Sequence, residues 1–191
     1  MARKIGFKNL KKQVPVIIGA GLTEQYYFTH LRNITDYKFK ILPRFFGTES
    51  LYKLEQKIDQ VLENNRVAIC VFDADIAARD DIEREKLTNF LVKYIGNENV
   101  IICDSLPSIE YWFLIHYTET QKRFTSKELI SALRKFIVGF DKKEKFLKNE
   151  KWVKNLCKDD KLSLAIERSK KPVPKNYSYS NVYRAFLNIK K

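Results

Sequence analysis

The chain has 191 residues, enough for one α/β domain with an added edge and a substantial buried core. Its 45% hydrophobic and 13% aromatic content excludes a disordered chain, and no apolar run approaches the roughly 18–20 residues of a membrane span. Lysine and arginine (36) outnumber aspartate and glutamate (23), and the resulting charge of +13 points to a polyanionic partner, nucleic acid first and an acidic membrane surface second.

The opening segment to about Gln13 is a basic arm with no signal-peptide core behind it, so a cytoplasmic protein is expected. Val14 to Ile18 reads as a short strand closed by the turn Gly19-Ala20-Gly21, whose glycines are expected to take backbone conformations that other residues resist. Thr23 is expected to open a helix with Glu24 in its first turn, where the helix dipole favours a carboxylate, and with Tyr26, Tyr27 and Leu31 as apolar contacts. Strand, glycine turn and helix form a phosphate-binding shape in general, yet GAGLTE is neither G-x-G-x-x-G nor a P-loop. Lys38 to Phe46 reads as a second strand whose basic exit, Arg44, is a candidate phosphate contact. From Glu49 to Asn64, the residues Leu51, Leu54, Ile58, Val61 and Leu62 recur at helical spacing.

The most informative stretch is Arg66 to Asp75, RVAICVFDAD: a buried strand that ends in two acids. On an extended chain Asp73 and Asp75 leave the same face, with Cα atoms roughly 6.5–7 Å apart. In a parallel sheet, ligands bind in the crevice outside the carboxyl ends of the strands, and two carboxylates there suit Mg²⁺. The plain alternative is that both acids start a loop and cap the next helix. Ala78 to Tyr94 is a charged helical segment with Ile82, Leu87, Phe90, Leu91 and Tyr94 as its buried stripe, and Val100 to Cys103 is a further strand with Asp104 at its exit. Ser105 to Tyr117 is too apolar for a surface helix. After a start at Pro107-Ser108, Ile109, Trp112, Phe113 and His116 share one stripe, and Glu110 stands about 120° from His116. A buried Glu110 must be paired or metal-bound, whereas His116 reads either as a core residue or as a functional one.

Beyond Thr118 the composition turns to lysine. Three amphipathic helices are expected, in SKELISALRKF, KKEKFLKNEKWVKNL and DKLSLAIERSKK, followed by a tail helix opened by Ser180 and docked through Val182, Phe186 and Leu187. The basic residues, Lys143 among them, are candidates to grip a phosphate backbone beside Trp152 and Tyr177 as stacking groups; an ordinary solvated helical part is the alternative. The pattern is an α/β core over 1–117 and a basic helical part over 118–191 packed on it. Cys70, Cys103 and Cys157 lack zinc spacing and read as reduced thiols.

The blocks IIGAGLTEQYYFTHLR, AICVFDAD and IICDSLPSIEYWFLIHY, in that order, resemble the signatures of RloB-like proteins, a Toprim-related family found near bacterial restriction and phage-defence loci. Weaker echoes in GFDKKEKF, AIERSKK and YSYSNVY extend the likeness over most of the chain. The resemblance implies a Toprim-like fold, a small and mainly parallel sheet flanked by helices. It also implies Mg²⁺-dependent phosphodiester hydrolysis, with Mn²⁺ as an alternative metal, RNA and tRNA favoured over DNA, and an ATPase partner in a defence system. Glu24, Asp73 and Asp75 are then the metal ligands, with Glu110 and His116 as further catalytic candidates. The resemblance also exposes a departure: Ala20 stands where the family's turn carries Glu before its Gly. Either the chain is a natural pseudo-enzyme, or the Glu has been replaced to silence a toxic protein. The intact Glu24, Asp73, Asp75 and Glu110 favour the second, and loss of activity is expected in both cases. The rival reading is a non-catalytic nucleic-acid-binding or regulatory subunit of a defence complex. Nucleotidyl transfer, as in primases, shares the acid pattern, and assembly into a homodimer stays open.

Overall fold

A computed structural model describes residues 14–42, 50–75 and 80–189. Every residue of Val16–Gly19 (β1) is buried, as are the first five of Ala68–Asp73 (β3), which a strand covered on both faces requires. Lys40–Leu42 (β2) lies parallel to β1 on one side and β3 lies parallel to it on the other. Val100–Leu106 (β4) continues the parallel sheet beyond β3, and Tyr179–Ser180 (β5) closes that edge antiparallel. The order is β2-β1-β3-β4-β5. The chain thus runs outward from β1 to β2, then crosses back to build β3 and β4. The order reverses between β1 and β3, and the crevice at the carboxyl ends of two such strands is where open α/β sheets bind ligands.

The two faces carry separate cores, as side-chain alternation along a strand dictates. Ile17, Ile69, Val71 and Cys103 share one core with Leu22–Ile34 (α1), whose Tyr27, Phe28 and Leu31 are fully buried. Val16, Ile18, Ala68, Cys70 and Phe72 share the other with Leu51–Glu63 (α2) and Asp81–Tyr94 (α3). Ser50 caps α2 by accepting from the Lys53 amide, and Asp80 caps α3 through the Glu83 amide. α1 starts at Leu22 rather than Thr23, with Gly21 as its N-cap and no side-chain cap. On α3 the buried stripe is Leu87, Phe90 and Tyr94, while Ile82 points to solvent. Arg44, Phe46 and Ala78 lie outside the described residues.

Six short helices follow β4: Glu110–Leu114 (α4), Ser126–Leu133 (α5), Glu144–Leu147 (α6), Lys151–Leu156 (α7), Lys161–Ser169 (α8) and Tyr183–Asn188 (α9). The single helix expected over KKEKFLKNEKWVKNL is broken in two because Asn149 Oδ1 accepts from the Lys151 amide at 3.0 Å, a local bond that competes with the helical ladder. One hydrophobic cluster crosses residue 118 without interruption: Leu129, Phe140, Leu147, Trp152, Val153 and Phe186 join the core that α1 forms on the sheet. Trp152 is therefore core and not a stacking platform, its Nε1 donating to the Leu147 carbonyl at 3.4 Å. The last helix begins at Tyr183 because Ser180 belongs to β5, and it docks through Val182, Ala185 and Phe186 while Leu187 is exposed. The three cysteines are free thiols. Among the described residues no helix is long and apolar enough to cross a membrane.

Candidate active site

The turn that closes β1 is shaped around a side chain. Gly21 has φ −125°, extended backbone that any residue adopts, and among the described residues the glycines with positive φ are Gly96 and Gly139. The glycines at 19 and 21 are needed for room instead: a Cβ on Gly21 would collide with Glu24 Oε2, and one on Gly19 would lie 3.0 Å from Glu24 Cβ. Glu24, in the first turn of α1, is thereby buried beneath the turn.

Asp73 ends β3 beside it, and its Oδ1 accepts from the Ile109 amide at 2.9 Å. Burial pushes its carboxyl well above the usual range, and the nearby carboxylates of Glu24 and Glu110 add to this, while the Lys142 ammonium and the Ile109 N–H act the other way. Glu110 opens α4 with 1% of its surface exposed. Its Oε2 accepts from the Ser108 hydroxyl at 2.5 Å, and its Oε1 pairs with Lys142 Nζ at 3.0 Å. Burial works to lower the pKa of Lys142, but Glu110, with Asp73 and Glu24 behind it, outweighs burial and raises it. Four distant segments thus meet: Glu24 from α1, Asp73 from β3, Glu110 from α4, and Lys142 from the loop between α5 and α6.

The other candidates stand apart. The strand ends at Asp73 and the chain turns at Ala74–Asp75, so the extended geometry that would align Asp75 with Asp73 stops one residue short; Asp75 is half-buried there. Ala20 donates its amide to the Val71 carbonyl at 2.9 Å, and its methyl packs against the α2/α3 core. His116 is fully enclosed, with Nδ1 2.8 Å from the Trp112 carbonyl and its ring edge-on to Trp112 at 4.8 Å. Burial lowers its pKa to about 3, and the charges acting on it are Arg168 and Lys161, not the acids. Lys143 extends into solvent, 3.7 Å from Asp141. The sequence reading missed Lys142 and Ser108. Nothing in GFDKKEKF distinguishes two adjacent lysines, whereas Ser108, two residues before an acid in an apolar run, was a usable signal.

Carboxylates alone make a hard-oxygen donor set that fits Mg²⁺ or Mn²⁺ and would be poor for softer metals. Among the described residues, however, no three His, Cys, Asp or Glu side chains form a ready cage for a metal ion. One cation already stands at the cluster, the Lys142 ammonium paired with Glu110, so the acids fit the group in chemistry while Glu110 holds an internal positive charge.

Parallel strands with helices on both faces, reversing order beside an acid-bearing turn, make this a Toprim-like α/β fold. The chain belongs to the RloB-like protein family, whose sequence model matches residues 16–185, from the start of β1 into α9. No curated protein and no solved structure matches it.

Proposed function

We propose that the protein is a Toprim-type metal-dependent nuclease of a phage-defence system, acting on RNA, tRNA included, with an ATPase partner, and that the form with Ala20 is inactive. The observation that carries this reading is the meeting of Glu24, Asp73 and Glu110 beside the Lys142 ammonium at the sheet's switch point. Burying three carboxylates together is costly unless their charge is used or balanced, and such clusters concentrate at functional sites. Asp73 with Glu24 would hold the metal, and Asp75 would join them only by turning in from the segment after the strand. A bound Mg²⁺ or Mn²⁺ would neutralise phosphate oxygens and lower the pKa of a bound water. The chain's own groups do the positioning: the Ile109 amide fixes Asp73 Oδ1, the Ser108 hydroxyl fixes Glu110, and Lys142 offers positive charge to a bound phosphate. A Glu at position 20 would add a carboxylate to the turn, its longer side chain leaving the α2/α3 face on which the Ala20 methyl packs.

Ala20→Glu tests this. The variant is expected to arrest growth on expression and to cut RNA only with Mg²⁺ or Mn²⁺, leaving one dominant set of ends when total RNA is sequenced; adding Asp73→Ala abolishes both effects. An Ala20→Glu protein that leaves tRNA, other RNA and DNA whole with every metal would overturn the nuclease reading. One observation favours a non-catalytic nucleic-acid-binding subunit instead: the Lys142–Glu110 pair lets the acids persist without metal. Such a subunit would bind RNA equally well in chelator.

A further inference from the structure

We infer that Lys142 is an internal competitor for the metal: its ammonium fills the seat beside Glu24, Asp73 and Glu110, and a divalent ion enters by displacing it. This rests on the reading above that the seat takes a metal. Among the described residues the ammonium is the one partner of Glu110 Oε1, which is otherwise buried without a hydrogen bond. Yet the two members of the pair are buried very differently, Glu110 at 1% and Lys142 at 43% exposure. Lysine is seldom fully buried, and its long stem keeps the ammonium close to an outward path. This one reaches in from solvent, so swinging out breaks an ion pair and sacrifices little packing.

The backbone that carries Lys142 is held in place. Phe140, two residues before it, is fully buried, and α6, just after it, is tied to α1 by Tyr26 Oη donating to Glu144 Oε1 at 2.9 Å. His30 Nε2 adds a contact to the Leu147 carbonyl at 2.8 Å. The loop is therefore fastened to the same helix that presents Glu24, and only the side chain needs to move. The charge favours exchange at Glu110 and Asp73, both of which feel the Lys142 ammonium: a divalent ion brings twice its charge to the same place. Once displaced, Lys142 stays tethered at the mouth of the site with its charge available to a phosphate. Metal entry and phosphate capture are thereby linked through one side chain.

The test is calorimetric titration of the full chain with Mn²⁺, alongside thermal melting with and without the ion, for the protein as it is and for Lys142→Gln and Lys142→Arg. Lys142→Gln is expected to bind Mn²⁺ at least about tenfold more tightly, because a competing charge a few ångströms away is gone. Its metal-free melting temperature should fall by about 10 °C, since Glu110 loses its partner, and Mn²⁺ should restore it. Lys142→Arg, whose fork pairs a carboxylate in two places, should keep the metal-free stability and bind Mn²⁺ more weakly than the parent. The two variants must move affinity in opposite directions. Equal or weaker binding by Lys142→Gln, or unchanged binding by Lys142→Arg, removes the competitor role while the metal site stands. Absence of Mn²⁺ binding from all three proteins removes the metal site and the inference with it.

Discussion

A buried ionisable side chain is a wager on one protonation state, and His116 shows which one this core has taken. Its folded pKa of about 3 lies below the ordinary histidine value near 6.5, so between those limits the unfolded chain binds a proton that the folded chain refuses. The stability contribution is full above about pH 6.5 and is lost as pH falls towards 3; at pH 5 the loss is about 2 kcal/mol. His116→Phe keeps an aromatic ring against Trp112 and gives up the Nδ1 bond, which costs about 1 kcal/mol at pH 8 but removes the acid-sensitive step. Urea midpoints at pH 8 and pH 5 measure this, and an equally steep fall in both proteins would show that another group governs acid unfolding. At this scale the sequence was a partial guide. Apolar periodicity put His116 on a buried stripe with Trp112, and 100° per residue turned Glu110 away from it. It could not tell that one residue met the acid cluster and the other packed in the core, because that depends on segments more than thirty positions away, such as Asp73 and Lys142.

At the scale of elements, the runs with strong patterns were legible: β1 and β3 from continuous apolar stretches, α2 from its stripe, and the order β-α-β-α-β from their alternation. Elements built from long-range polar bonds were not. The two-residue β5 has no pattern to find, and it exists because Asp104 in β4 fastens the tail. Asp104 accepts from Tyr179 Oη at 2.6 Å and from Asn181 Nδ2 at 2.8 Å, its carbonyl takes the Asn181 amide at 2.8 Å, and Ser105 Oγ meets Ser180 Oγ at 2.8 Å. The strand consequently runs to Leu106, beyond the expected exit at Cys103. Asp104→Ala deletes both side-chain bonds and strands their donors, an expected loss of about 2–4 kcal/mol with faster proteolysis of the segment after Ser169. Tyr179→Phe removes one of them and should cost about 1 kcal/mol with the tail still protected. If Asp104→Ala melts with the parent and resists protease equally, the apolar docking of Val182, Ala185 and Phe186 holds the tail by itself. The glycine turn carries a similar lesson. GAG was visible as a turn, but its glycines serve to make space for Glu24, a requirement set by a side chain three residues on from Gly21.

For the whole molecule, the charge of +13 is the property that composition fixes most firmly, and it predicts behaviour independent of any metal. Many of the basic side chains on the helical part are exposed, and among the described residues Arg123, Lys127, Lys135, Lys145, Lys151 and Lys158 have no acidic ion-pair partner within bonding distance. With Trp152 withdrawn into the core, this surface offers charge more than stacking, so binding to single-stranded RNA should be dominated by release of counterions. For about five phosphate contacts, the slope of log affinity against log salt is about −3.5, or roughly a hundredfold loss between 50 and 200 mM salt. Each neutralised contact, Lys151→Gln for example, should reduce that slope by about 0.7 without changing sequence preference, whereas Trp152→Ala should lower the melting temperature and leave the slope alone. Fluorescence anisotropy with a labelled RNA in chelator measures all three, and the protein with Ala20 suits the experiment because cleavage is not expected to intervene. A slope near zero would mean that the positive charge keeps the protein soluble rather than holding a polyanion, and the proposal of an RNA substrate would then lose its electrostatic support even if the acid cluster binds metal.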